Sequence, residues 1–180
     1  MTKYTGLTAV VVGEATAIGL AVAKRLVEGG ARVVLAARAA EERRRLGDEL
    51  GSTARVVAPS GVAGCLASGD AVDLLFADVV ATARPLLARV GDGGAVVLMT
   101  PALSPAAVHA LAAELVSRGI RVNAVAPGCI SAPGGAGVPL PPLGRLGAAE
   151  EVARAALFLA TDATFTTGVR FPVDGGLSRP

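Results

Sequence analysis

Short Val- and Leu-rich runs alternate with Ala-rich stretches of helical length along this 180-residue chain, and that alternation limits the fold more than any other feature. The apolar runs near 7–12, 31–36, 55–58, 72–77, 94–99, 120–125 and 168–172 are expected strands. The stretches between them predict helices near 17–29, 39–50, 79–90, 104–117 and 149–160, with a weaker one near 62–68. Strands that alternate with helices build right-handed crossovers and a parallel sheet covered on both faces. Such strands read as unbroken apolar runs, as Val33-Val34-Leu35 and Val96-Val97-Leu98 do. The expected architecture is therefore α/β: a single doubly wound parallel sheet of about seven strands with helices on both faces, one domain over 1–180.

Local signals agree with this order. In the helix near 104–117, Val108, Leu111 and Leu115 share one stripe. Ser104 can cap it, Pro105 suits its first turn, and Gly119 follows its end. Residues 131–147 are rich in Pro and Gly and read as one loop.

Hydrophobic residues make up 52% of the chain, so membrane insertion is the first alternative to weigh. No apolar run reaches the roughly 20 residues a spanning helix needs. The first apolar run leads into a glycine turn and a helix with no cleavage site, unlike a signal peptide. Cys65 and Cys129 show neither metal spacing nor a disulfide framework. A cytoplasmic protein with free thiols and no metal is expected. The net charge is only +2, and the one basic run, Arg43-Arg44-Arg45, is flanked by Glu41, Glu42, Asp48 and Glu49. That pattern is a solvated helix face and argues against nucleic-acid binding. Lysine occurs only as Lys3 and Lys24 beside abundant arginine, which points to a GC-rich bacterial genome.

The first strand ends at Val12 and runs into Gly13-Glu14-Ala15-Thr16-Ala17-Ile18-Gly19, where a helix begins. A glycine turn between strand and helix lets backbone N–H groups approach a pyrophosphate, assisted by the helix dipole. Tight packing of strand on helix can require the same turn. The second strand ends in Ala36-Ala37-Arg38, where an acidic residue would take the ribose hydroxyls of NAD. Arg38 instead suits a 2′-phosphate, so NADP(H) is expected ahead of NAD(H) if the site holds a dinucleotide at all. As a solvated residue at the head of a helix, Arg38 would need no ligand.

The carboxyl-terminal third carries the most specific pattern. It runs from Leu115-Val116-Ser117-Arg118-Gly119-Ile120-Arg121-Val122-Asn123 through Ala124-Val125-Ala126-Pro127-Gly128. Gly144-Arg145-Leu146-Gly147, Glu150-Glu151-Val152-Ala153, Leu157-Phe158-Leu159-Ala160-Thr161-Asp162, Thr167-Gly168 and Val173-Asp174-Gly175-Gly176 follow in order. In these motifs the chain resembles the short-chain dehydrogenase/reductase family over almost its whole length, with internal deletions. The early turn resembles that family's T-G-x-x-x-G-I-G, with Val12 and Ala17 in place of the threonine and the middle glycine. The resemblance implies a compacted Rossmann-like fold. It also implies a cofactor site at Gly13, Thr16, Ile18, Gly19, Arg38, Pro127 and Gly128, the last two in a turn that faces the nicotinamide in relatives.

The middle of the chain departs from the family pattern. The adenine-binding aspartate after the third strand is replaced within Pro59-Ser60-Gly61-Val62, and Asn-Asn-Ala-Gly reads as Ala77-Asp78-Val79-Val80. Pro101 aligns with the catalytic serine, with Thr100 beside it. The Tyr-x-x-x-Lys positions fall in a deletion, and the only tyrosine is Tyr4. A free phenol has a pKa of about 10, so the family's hydride transfer needs a nearby lysine to make its tyrosine acid competent. Standard ketone–alcohol chemistry is therefore not expected, although the family membership is.

No catalytic residue is assigned; Asp78 and Thr100 are the candidates. A partly buried Asp78 could act as a general acid or base, but capping the following helix is its ordinary role. Thr100 could bind a carbonyl, with a turn role as the plainer reading. Cys129 shows no basic partner, Ser131 is isolated, and His109 lies mid-helix where surface roles prevail. Three functions remain: a reduced dehydrogenase that binds NADP(H); a cyclase, isomerase or dehydratase acting on a small apolar molecule in the old crevice; or a non-catalytic assembly subunit. Apolar residues near the last strand, Phe165, Phe171 and Pro172, predict a homodimer or homotetramer in each case.

Overall fold

The structure, a computed structural model, describes residues 2–13, 17–66, 70–131 and 139–178. Seven strands form one sheet: β1 (Thr8–Val12), β2 (Arg32–Ala36), β3 (Ala54–Val57), β4 (Val72–Ala77), β5 (Val90–Met99), β6 (Arg121–Pro127) and β7 (Arg170–Val173). Their order is β3-β2-β1-β4-β5-β6-β7 and every pairing is parallel. The chain winds outward from β1 to β3, then crosses back to place β4 on the other side of β1. That reversal opens a crevice at the carboxyl ends of β1 and β4.

The helices are α1 (Ala17–Glu28), α2 (Ala40–Leu50), α3 (Val62–Cys65), α4 (Val80–Ala83), α5 (Pro105–Leu115) and α6 (Ala149–Leu157). Successive strand residues face opposite sides, so each strand feeds two cores. Val11, Val33, Leu35, Phe76, Val97 and Val125 pack with Leu26 of α1, Leu46 of α2 and Val152 of α6. Val10, Val34, Leu75, Val96, Leu98 and Val122 pack with Val62 of α3 and with Val108, Leu111 and Leu115 of α5. The expected sheet, strand number and two-sided cover are all present. No helix among the described residues is long and apolar enough to cross a membrane.

Three expected elements differ. The helix predicted over 79–90 stops after α4 and continues as a 3-10 turn over Arg84–Arg89. Pro85 has no N–H to donate and its ring obstructs the preceding turn, so a regular α-helix cannot pass through it. β5 starts at Val90 rather than 94, because residues 91–94 bulge between the pairs Val72↔Val90 and Leu74↔Ala95. The helix predicted over 149–160 ends at Leu157 and widens into a π-type turn, Phe158–Asp162. Arg121 gathers its carbonyls, donating to Leu159 O at 2.6 Å, Ala160 O at 2.5 Å and Ala163 O at 3.1 Å. A helix end leaves carbonyls without partners, and the arginine fork from β6 supplies them.

α5 forms as its signals dictate. Ser104 Oγ accepts the Ala107 N–H at 3.2 Å, Pro105 opens the helix, and Val108, Leu111 and Leu115 are buried. Gly119 ends the following turn with φ +67°, a conformation that suits glycine.

Candidate functional site

At the end of β1 the backbone of Gly13 has φ +122°. A side chain there would be strained, and a Cβ would lie only 2.3 Å from Cγ of Asp78 and 2.6 Å from each carboxylate oxygen. The carboxylate of Asp78, arriving from the end of β4, therefore rests directly on the α-carbon of the glycine turn. Asp78 is half-buried and its Oδ1 accepts the Val79 N–H at 2.7 Å. The capping role expected of it is not its role: α4 is capped at Val79 with no side-chain hydrogen bond. The tight approach between β1 and β4 directs the carboxylate toward the turn instead.

Beside this contact lies a cavity of about 280 Å³. Val12 and Gly13 form its floor, Pro59 and Val62 one wall, Ala81, Pro85 and Leu86 another, and Arg38 its rim. Among the described residues Arg38 is the charged residue lining it. Its guanidinium is exposed and has no ion pair or hydrogen bond among the described residues. The backbone beneath is fixed by Arg43, whose Nη1 donates to Ala37 O at 3.1 Å and to Arg38 O at 2.5 Å. Arg43 thus holds the β2–α2 corner while Arg38 remains available.

The other expected cofactor residues are dispersed. Ile18 is half-buried against the core, and Gly19 is buried in the first turn of α1. Neither lines the cavity; Thr16 lies outside the described residues. Pro127 ends β6, and a Cβ on Gly128 would meet Asp174 Cα at 2.6 Å. Close passage of two chain segments alone demands glycine there. Thr100 is buried, and its Oγ1 accepts the Ala102 N–H at 3.3 Å, so its hydroxyl serves its own turn. His109 is exposed on α5 and packs beside Gly168.

A second cavity, about 310 Å³, lies at the carboxyl ends of β6 and β7 and includes Cys129, Ile130, Arg145, Glu151 and Asp174. Its charged groups are tied up. Arg145 forms a two-pronged pair with Glu151 at 2.8 and 2.7 Å, and Glu151 also accepts the Ala148 N–H at 2.9 Å. The Arg145 hydrogen bond, then that N–H, hold the Glu151 pKa down at about 2. Asp174 accepts from Ser178 N–H and Gly176 N–H, and the Ser178 side chain first, then these N–H groups, lower its pKa as well.

Tyr4 and both lysines stand away from the crevice. Tyr4 is buried against Gly29 at the amino ends of the strands. Lys3 lies 5.5 Å from its ring centroid and pairs with Asp162 at 2.8 Å. Both residues line an open concavity of about 660 Å³ with Leu7, Asp73, Gly94 and Arg121. Lys24 pairs with Glu49 on the outer surface. Among the described residues no group of His, Cys, Asp and Glu could hold a metal ion.

A glycine turn and an apolar cavity at the switch point of a doubly wound parallel sheet define a protein of the Rossmann-like class. More narrowly, the chain belongs to the short-chain dehydrogenase/reductase family. The family model described as enoyl-(acyl carrier protein) reductase matches residues 76–178, and that described as short chain dehydrogenase matches 7–89. The oxidoreductase asL5 of Sarocladium schorii is 30% identical over an alignment of 243 residues that covers 98% of each chain. That alignment is longer than this chain, so the relative carries segments with no counterpart here. The 2,5-dichloro-2,5-cyclohexadiene-1,4-diol dehydrogenase LinX of Sphingobium indicum is 44% identical over 79 residues, 38% of this chain and 32% of that protein. A solved short chain dehydrogenase/reductase family protein superposes with TM-score 0.79 at 28% identity, covering 97% of this chain and 98% of that one.

The family typically binds nicotinamide dinucleotides. The Gly13 turn, where a diphosphate would lie, carries the Asp78 carboxylate. Sequence reasoning identified Gly13, Arg38 and Asp78 separately. It missed Pro59, Val62, Pro85 and Leu86 as walls, because two segments apart in the chain build them and neither has a motif of its own.

Proposed function

We propose that this family member binds NADP(H)-type adenine nucleotides through the adenosine end and does not perform the family's tyrosine-dependent ketone–alcohol chemistry. The observation that carries this reading is the Arg38 guanidinium, without a partner among the described residues, at the rim of the 280 Å³ apolar cavity. An arginine fork recognises a phosphate monoester well, and an apolar slot of this size accepts a flat base. Against standard catalysis stands the position of Tyr4 and Lys3 at the amino ends of the strands, remote from the nucleotide crevice. Without an acid to protonate a carbonyl oxygen, bound NADPH has no partner for hydride transfer to a ketone.

Titration calorimetry with NADPH and NADH, with Arg38→Ala as control, tests the nucleotide reading. NADPH should bind more tightly than NADH, and Arg38→Ala should remove that preference. Absence of binding at millimolar nucleotide would sink it.

The protein also self-associates on this reading. Phe158, Phe165 and Phe171 are all exposed, Phe165 completely, and β7 is an edge strand. Exposed aromatic area of this kind is ordinarily buried between subunits. Light scattering should give the mass of a dimer or tetramer; a monomer at micromolar concentration would contradict the proposal.

A further inference from the structure

The Gly13–Asp78 contact bears on which nucleotide the crevice prefers. A glycine turn that leads into a helix ordinarily draws a phosphate, because the helix amino end and the turn's backbone present positive potential. Here the turn already has an anion. The Asp78 carboxylate lies so close to the Gly13 α-carbon that even a methyl group could not come between them. It reaches that place because Val12 and Ala77 are paired across β1 and β4, which brings Gly13 and Asp78 level with each other at the strand ends. The charge is therefore fixed by the register of the sheet rather than carried on a mobile loop.

Two consequences follow from electrostatics. A diphosphate laid over the turn would meet a like charge at short range in a partly desolvated crevice, where repulsion is stronger than in water. Along the cavity that Gly13 also lines, Arg38 is the charged lining residue among the described residues and has no protein partner among them. Arg38 thus stands at the rim beside β2, while the Asp78 carboxylate lies just outside the lining, against Gly13.

Resting on the nucleotide reading above, we propose that Asp78 is a specificity-determining residue that turns this crevice from dinucleotides toward adenosine monophosphates. The preferred ligand has a flat base in the apolar slot and a single phosphate on the ribose for Arg38. It has no phosphate over Gly13. Asp78 places a fixed negative charge against Gly13, where the diphosphate of a dinucleotide would otherwise lie.

The test measures calorimetric affinities of adenosine 2′-monophosphate and NADPH for the wild type, Asp78→Asn and Asp78→Ala. Asparagine keeps the shape and the hydrogen bond from Val79 while removing the charge. Alanine removes charge and bulk, and thermal melts confirm that each variant is folded. In the wild type the monophosphate should bind at least as tightly as NADPH, despite its smaller size. Both substitutions should tighten NADPH by about tenfold or more, roughly one Coulombic contact in effect. Monophosphate affinity should change by less than about threefold. NADPH that binds the wild type and both variants alike would overturn the role of Asp78 while leaving the nucleotide reading intact. If neither nucleotide bound any of the three proteins, the nucleotide reading would fail and this inference with it.

Discussion

The two faces of the sheet are covered by very different means. One carries α1, α2 and α6, of 12, 11 and 9 residues. The other has α5, of 11 residues, and two helices of only four residues each, α3 and α4. Yet the strands are as dry on one side as on the other: Phe76 and Val97 face the first core, Leu75 and Val96 the second, and all four are fully buried. Covering a sheet requires apolar area, and regular helix is only one way to supply it. The 3-10 turn Arg84–Arg89 brings Leu86 and Leu87 onto the second face after α4 has ended.

If the faces are equally dry but differently built, deletions should cost differently. Leu26→Ala removes a fully buried side chain held between long helices that cannot easily close the gap. It should lie toward the upper end of about 2–5 kcal/mol. Leu87→Ala, in the 3-10 turn of the thin face, leaves a space that a short segment can settle into. Its cost should lie toward the lower end of the same range. Urea melts of the two variants decide the matter, and equal losses would mean that the thin face is as rigid as the thick one.

A smaller effect concerns the start of α6 on the thick face. The folded pKa of Glu151 is depressed to about 2 by Arg145 and the Ala148 N–H. A depressed carboxylate stabilises the fold above its unfolded pKa, and that contribution is lost as pH falls through the folded value. Stability should therefore decline between roughly pH 4.5 and 2 in part through this group, and Glu151→Gln should flatten that portion of the profile. Both partners are exposed, so the change is modest. Identical acid profiles for the wild type and Glu151→Gln would show that the pair contributes nothing measurable.

Much of this was legible in the chain. The runs around Val10, Val34, Leu75, Val96 and Val122 announced strands because a doubly covered parallel strand must be apolar throughout. Ser104-Pro105 and Gly119 marked the limits of α5 and its closing turn, since caps act over a few residues and need no distant partner. Pro85 was a visible signal too, and it ended a helix that periodicity alone carried to residue 90. The widening at Phe158–Asp162 had no such local sign. Its carbonyls are held by Arg121, some forty residues earlier in the chain.

The site shows the same division. The residue types at the crevice were readable: glycine where β1 turns into α1, arginine where β2 ends, aspartate where β4 ends. Sequence by itself established the alternation, and with it a parallel doubly wound sheet, because burial on both faces dictates residue type along a strand. It also established that the chain has a single tyrosine, Tyr4. Only the tertiary structure decided that Asp78 lies on Gly13 and that Pro59, Val62 and Leu86 enclose a cavity beneath Arg38. Those contacts follow from parallel register between strands remote in the chain, and register is fixed by the packing of the whole sheet rather than by any local run of residues.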